Sequence, residues 1–165
     1  MQSYKILPDD HIHITIHYNG FDHLREVCRL NELIFGEKRL LNRLDHDPMI
    51  FLTAHIKGEL AGFKIGYALS RHLFYSAKGA TSPHYRKRGV ATRLLQAMLS
   101  EADRMGFSRL EYDNFPATYP GMTILGLKNG FRIKRLHWNP EQEDFQIRLF
   151  RDIRSGNASP YPGHT

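Results

Sequence analysis

Cysteine occurs once in the 165 residues, at Cys28, and tryptophan once, at Trp138. A single thiol excludes an internal disulfide framework and any site built from several thiolates. Cys28 falls with Leu24 and Val27 on the apolar side of a predicted helix, where a free cysteine packs as a small hydrophobe. No apolar run approaches the ~18 residues of a membrane span, and the opening MQSYKILPDD has no signal-peptide pattern. A cytoplasmic protein without a membrane partner is therefore expected. Like charges nowhere form a block of about five or more, which argues against a polybasic tail. No H-E-x-x-H motif or His/Cys cluster of metal spacing appears among the 10 histidines. Their densest group, His11-x-His13-x-x-x-His17, would line one face of a strand with Ile12, Ile14 and Ile16 on the other. That pattern reads as a solvated strand face, and no metal is assigned.

What is present is ordinary for a folded domain: 41% hydrophobic and 24% charged residues. The length suits one domain with its own core, taken here as residues 1–154, followed by a Gly-, Pro- and Ser-rich tail, 155–165, expected to be flexible. The formal charge of +6 favours an acidic ligand, which could be nucleic acid, a membrane surface or a nucleotide cofactor.

Periodicity divides the chain into elements. Ile12 to Tyr18 alternates like a half-buried strand, Phe21 to Phe35 reads as an amphipathic helix ended by Gly36, and Glu37 to Leu44 as a second short helix. Met49–Lys57 and Leu60–Ser70 flank a tight Gly58-Glu59 turn, with Gly62 and Gly66 suggesting a bend in the second strand. A further strand is expected over Leu73–Thr81 and the clearest helix over Gly89–Met105, where Ala91, Leu94, Leu95, Met98, Leu99 and Ala102 repeat at helical spacing before Gly106. Phe107–Asp113 returns as a strand, parallel to the preceding one if the helix is a crossover. A short helix over Met122–Lys128 and two antiparallel strands, Phe131–Trp138 and Phe145–Asp152, complete the chain.

The stretch from Thr81 to Leu99 has the order of a binding site: strand end, turn, basic loop, helix. Unpaired N–H groups at a helix start make an anion cradle, Gly89 allows close approach to the backbone, and Arg86, Lys87 and Arg88 add positive charge. A pyrophosphate-bearing cofactor is the natural occupant. Arg86-Lys87-Arg88-Gly89-Val90-Ala91 matches the Q/R-x-x-G-x-G/A loop, and Asn129-Gly130-Phe131 the helix-ending Gly-Phe, of the GNAT superfamily of acyl-CoA-dependent N-acyltransferases, which the chain resembles well from Met49 to Phe150 and loosely before it. Pro83 and Tyr85 also fit the P-x-Y-R entry to that loop.

The resemblance implies an α/β (α+β) fold: a mixed, mostly antiparallel sheet of six to seven strands, splayed at its parallel pair and flanked by about four helices. It implies acetyl-CoA as co-substrate, with no metal, its pyrophosphate on the loop amides of Arg88 to Ala91 beside Arg86 and Lys87. The pantetheine arm would run beside Ala80, Thr81 and Ser82, with Asn114 as a further contact. The implied activity is transfer of an acetyl group to a primary amine by direct attack in a ternary complex, so Cys28 is not needed as a nucleophile. An alkyl amine at neutral pH is free-base in only about one molecule in 10³, a handicap of roughly 4–5 kcal/mol, so a proton acceptor is required. Glu111, Asp113 and Tyr119 are the candidate catalytic groups: the two carboxylates as base or relay entry, Tyr119 as proton donor to the leaving thiolate. The family's usual tyrosine for that last role falls on Gly126, a departure from the pattern. Asn31, Glu32, Phe35, Glu37, Asp45 and His46 are candidates for the acceptor side, although the amine is not named by the sequence. A homodimer is compatible with the chain. Two alternatives stand beside the enzyme: a non-catalytic acyl-CoA sensor, and a nucleic-acid-binding module, which the scatter of the remaining basic residues disfavours.

Overall fold

The computed structural model describes residues 11–17, 23–43 and 45–153. The expected tail from 155 onward and the residues Phe21 and Tyr18 lie outside them. Seven strands build one sheet: β1 (Ile12–His17), β2 (Met49–Ile56), β3 (Glu59–Ala68), β4 (Leu73–Thr81), β5 (Arg109–Asn114), β6 (Arg132–Asn139) and β7 (Asp144–Asp152). Their order is β1-β2-β3-β4-β5-β7-β6, and every pairing is antiparallel except β4 with β5. Among the described residues three α-helices cover it, α1 (Leu24–Phe35), α2 (Val90–Arg104) and α3 (Pro120–Lys128), with one 3-10 turn at Pro83–Tyr85.

β2 lies under helices on both sides, which is why it is apolar almost throughout and buried at all but one position. On one face Ile50, Leu52 and Phe74 meet Leu94, Leu95 and Met98 of α2, and Met122 and Leu125 of α3 pack on the same cluster. On the other, Phe51, Phe63 and Ile65 meet Val27 and Leu30 of α1. The glycines of β3 are the condition for close seating of α2: a Cβ on Gly62 would lie 2.8 Å from Ala80 O and 3.0 Å from Val90 Cγ1. At Gly66 it would lie 2.5 Å from Phe74 Cε1. Cys28 packs half-buried against the α1 cluster, as expected of a structural thiol.

One expectation is corrected. No second helix forms over Glu37–Leu44; among the described residues, 36–43 are irregular. The cause is Asn31, fully buried in α1, whose Nδ2 donates to the carbonyls of Glu37 at 2.6 Å and Arg39 at 3.3 Å and so captures acceptors a helix would have used. The histidine face of β1 is exposed at His11 and His13, as expected, and differs only at its end. His17 is half-buried against Phe51, and its Nε2 lies 3.1 Å from Thr53 Oγ1.

Candidate active site

β4 and β5 pair only from Leu73–Tyr75 against Arg109–Glu111. Beyond that point β4 continues to Thr81 and β5 to Asn114 without contact between their ladders, so the flank of β4 that faces β5 has no strand partner. The splay begins where β4 carries an extra residue, since Ser76 pairs with Gly66 and Lys78 with Ile65, leaving Ala77 as a bulge. A cleft of about 1350 Å³ follows the splay from the loop before α2 to the irregular segment after α1.

At one end the basic loop forms the predicted cradle. Lys87 and Gly89 both have left-handed backbones, at φ 61° and 85°, and Gly89 is the N-cap of α2 without a side-chain cap. Apart from its chain neighbours, no atom lies within 4 Å of where its Cβ would be, so the space beside the start of α2 is open. Arg86, Lys87, Gly89, Val90 and Ala91 line the cleft together with Ala80, Thr81 and Asn114. Two residues expected to contact the cofactor through their backbone also have partners within the protein. The Arg88 guanidinium lies 5.5 Å from the centre of the Tyr85 ring and lines a separate small pocket with Glu59. Ser82 is buried, its N–H donating to Ala61 O at 2.8 Å.

The middle of the cleft holds the ionisable groups. Asp113 receives a bidentate pair from Arg148, at 2.8 and 2.7 Å, and a hydrogen bond from Tyr75 Oη at 2.8 Å. Burial works to raise its pKa, but these bonds win and hold the carboxyl below the usual range. Tyr75 is pushed up by burial and by the Asp113 charge. Glu111 stands apart from the cleft lining: only 1% exposed, it pairs with Lys134 Nζ at 2.7 Å and approaches Arg148 Nη1 at 3.7 Å. Tyr119 is on the lining at the start of α3, its ring edge-on to Phe35 with centres 5.8 Å apart. Below it Lys78 reaches Glu37 at 2.6 Å and lies 4.8 Å from the Phe35 ring centre. Of the acceptor-side candidates, Phe35 and Glu37 line the cleft, whereas Asn31 is structural, Glu32 is exposed, Asp45 pairs with Arg43, and His46 stacks on Tyr67 at 3.7 Å.

Lys64 and Tyr112 are among the lining residues that the sequence reading did not assign. Lys64 is 4% exposed, and burial pushes its amine down to about 8. Its only marker in the sequence is a lysine between Phe63 and Ile65 in an otherwise apolar strand. Tyr112, which points away from Glu111 and Asp113, reaches under α3, where its hydroxyl donates to Met122 O at 2.7 Å.

A mixed sheet parted at its parallel pair, with a cradle at the N-terminus of the crossover helix, defines the class of acyl-transfer folds. Residues 16–118 match the model of the acetyltransferase (GNAT) family, and the chain belongs to that family, whose enzymes use acetyl-CoA. Solved structures agree in fold. A GNAT family acetyltransferase from Elizabethkingia anophelis with acetyl-CoA bound superposes with a TM-score of 0.73 at 19% identity, over 87% of this chain and 99% of that one. The ribosomal-protein-S18-alanine N-acetyltransferase from Escherichia coli gives 0.73 at 15% identity, over 90% and 99%. An aminoglycoside 6'-acetyltransferase of type Ii gives 0.73 at 16% identity, over 87% and 99%. A comparison with curated protein sequences found no match.

Proposed function

We propose that the protein is an acetyl-CoA-dependent N-acetyltransferase that acetylates a primary amine by direct attack in the splayed cleft. One observation carries this reading: the unpartnered flank of β4 leads directly into an open helix N-terminus at Gly89. Residues present fit the donor. Arg86, Lys87 and the amides of Gly89 to Ala91 would hold the pyrophosphate, and backbone groups of β4 up to Thr81 would hold the pantetheine arm as an added strand. Acetyl-CoA, when bound, supplies an activated thioester.

The remaining steps fall to this chain's side chains. Phe35 and Glu37 would stand on the acceptor wall, Phe35 offering an apolar surface to the stem of an alkyl amine while Glu37 is paired with Lys78. Asp113, kept ionised by Arg148 and Tyr75, would lend its negative charge to the incoming amine, while the amine's proton passes to water in the open cleft, because a carboxyl held below its ordinary pKa is a poor proton acceptor. Tyr119, on the cleft lining, would donate a proton to the departing thiolate. Glu111 is tied into the ion pairs behind this wall and is not given a role in proton transfer.

CoA binding tests the donor site. Gly89→Glu places a carboxylate in the cradle and strains a left-handed backbone, so a loss of CoA affinity of about 10²-fold or more is expected with the fold retained by circular dichroism. Arg86→Ala with Lys87→Ala tests the same site without touching Gly89. Unchanged CoA affinity in both variants would show that the site is misplaced. Gly126, on the position where the resemblance implies a tyrosine, favours a second reading as an acyl-CoA sensor; such a protein would bind CoA yet release no thiol in response to amines.

A further inference from the structure

On the face of the sheet away from the acyl cleft's α2 cradle, the N-terminus of α1 meets β2 through three potential metal ligands. His23, Glu26 and His55 each offer one donor atom, and the three atoms lie within 4.8 Å of one another. His23 Nδ1 is 3.9 Å from Glu26 Oε1, and His55 Nε2 is 4.0 Å from Glu26 Oε2. These separations exceed hydrogen-bond length, so the groups gather around a common point without closing on each other. His23 occupies the N-cap of α1, where Ser, Thr, Asp or Asn would cap the helix, but it makes no side-chain capping bond. Its imidazole instead faces His55, with ring centres 4.7 Å apart. His55 follows a register shift between Ala54 and His55, the kind of irregularity that re-aims a side chain.

We propose that His23, Glu26 and His55 form a binding site for a zinc-type divalent transition metal ion. Two imidazoles and a carboxylate suit such an ion, whereas calcium and magnesium take all-oxygen sets. Donors about 2.0–2.2 Å from a tetrahedral ion sit roughly 3.3–3.6 Å apart, so side-chain rotations of less than about an ångström would close the site. Water takes the fourth position. His17, whose ring centre is 5.9 Å from that of His23 and whose Nε2 faces Thr53, stands beside the site and is not counted as a ligand. The ion would clamp the first turn of α1 to β2, and α1 carries Phe35 of the cleft at its other end.

The test uses the full chain, free of any affinity tag and stripped with a chelator. Titration with Zn²⁺ followed by calorimetry should show one ion bound per chain, and the melting temperature should rise with Zn²⁺ but not with Mg²⁺. Glu26→Gln and His55→Ala should each weaken Zn²⁺ binding at least tenfold, while His13→Ala, on the neighbouring strand, should leave it unchanged. Co²⁺ should give the visible bands of a four-coordinate site in the parent and lose them in Glu26→Gln. If His55→Ala fails to fold, Glu26→Gln decides, because Glu26 is half exposed and its amide is isosteric. Absence of Zn²⁺ binding would overturn the proposal, as would binding that survives both substitutions or is lost in His13→Ala. CoA affinity is measured on the same samples without metal, so this outcome is independent of the acetyltransferase reading.

Discussion

At Gly126 there is no room even for a methyl group. A Cβ there would lie 2.0 Å from the Tyr112 hydroxyl and 3.1 Å from Leu149 Cδ2. The phenol of β5 has thus entered the space that a larger residue in α3 would need, and it is fixed there by its bond to Met122 O. Gly126→Ala should cost about 1–3 kcal/mol in urea denaturation, the usual range for overpacking a core. Tyr112→Phe removes the obstructing oxygen, so the double variant should recover a large part of that loss; strict additivity would show that the two residues do not compete for one space. Lys64 supplies a second test at this scale. Its folded-state pKa of about 8 lies below the ordinary 10.5, a difference equivalent to about 3 kcal/mol of penalty on the charged form. Between those two values the unfolded chain holds the extra proton, so stability rises with pH across the window and the full penalty persists below it. Lys64→Met should therefore raise stability at pH 7 by about 1–3 kcal/mol and abolish the alkaline rise, as measured by denaturation at several pH values.

Among the elements, β4 and β5 decide the site because they pair for three residues and then part. The outer wall of the opening is held by Asp113 of β5 and Arg148 of β7, an antiparallel neighbour in register. Asp113→Asn removes one partner of a largely buried pair and should cost about 3 kcal/mol by denaturation. With a carboxyl held below its ordinary pKa, the parent's advantage is complete above the unfolded value and disappears as pH falls through the folded one, so the gap between parent and variant should close in acid.

The sequence showed this frame well. Helical spacing from Ala91 to Ala102 marks α2, and the basic loop before it marks the cradle, because both signals are local. What stayed hidden depends on contacts between distant segments. Nothing near Glu37 announces that Asn31 will take its carbonyl and dissolve a helix that otherwise fits. His23 and His55 share no motif, and only the packing of α1 on β2 brings them together. Lys64 and Tyr112 likewise become cleft residues only once β4 and β5 have parted.

For the whole molecule, the proposed reading gives the two ends of the cleft different tasks. The cradle at Gly89 sits on the α2 side with the positive charge expected of a phosphate site, while Phe35, Glu37, Asp113 and Tyr119 define the opposite wall. A donor site and an acceptor site separated by a strand opening are the arrangement that direct transfer requires, because both substrates must be present at once. The most direct test is the release of free CoA thiol from acetyl-CoA by the purified protein across a panel of alkyl amines. An acetyltransferase should show thiol release that depends on both amine and protein, is lost in Gly89→Glu, and falls on the order of 10²-fold in Tyr119→Phe with CoA affinity retained. Tight CoA binding with no release above background for any amine would contradict this expectation and establish the sensor reading in its place.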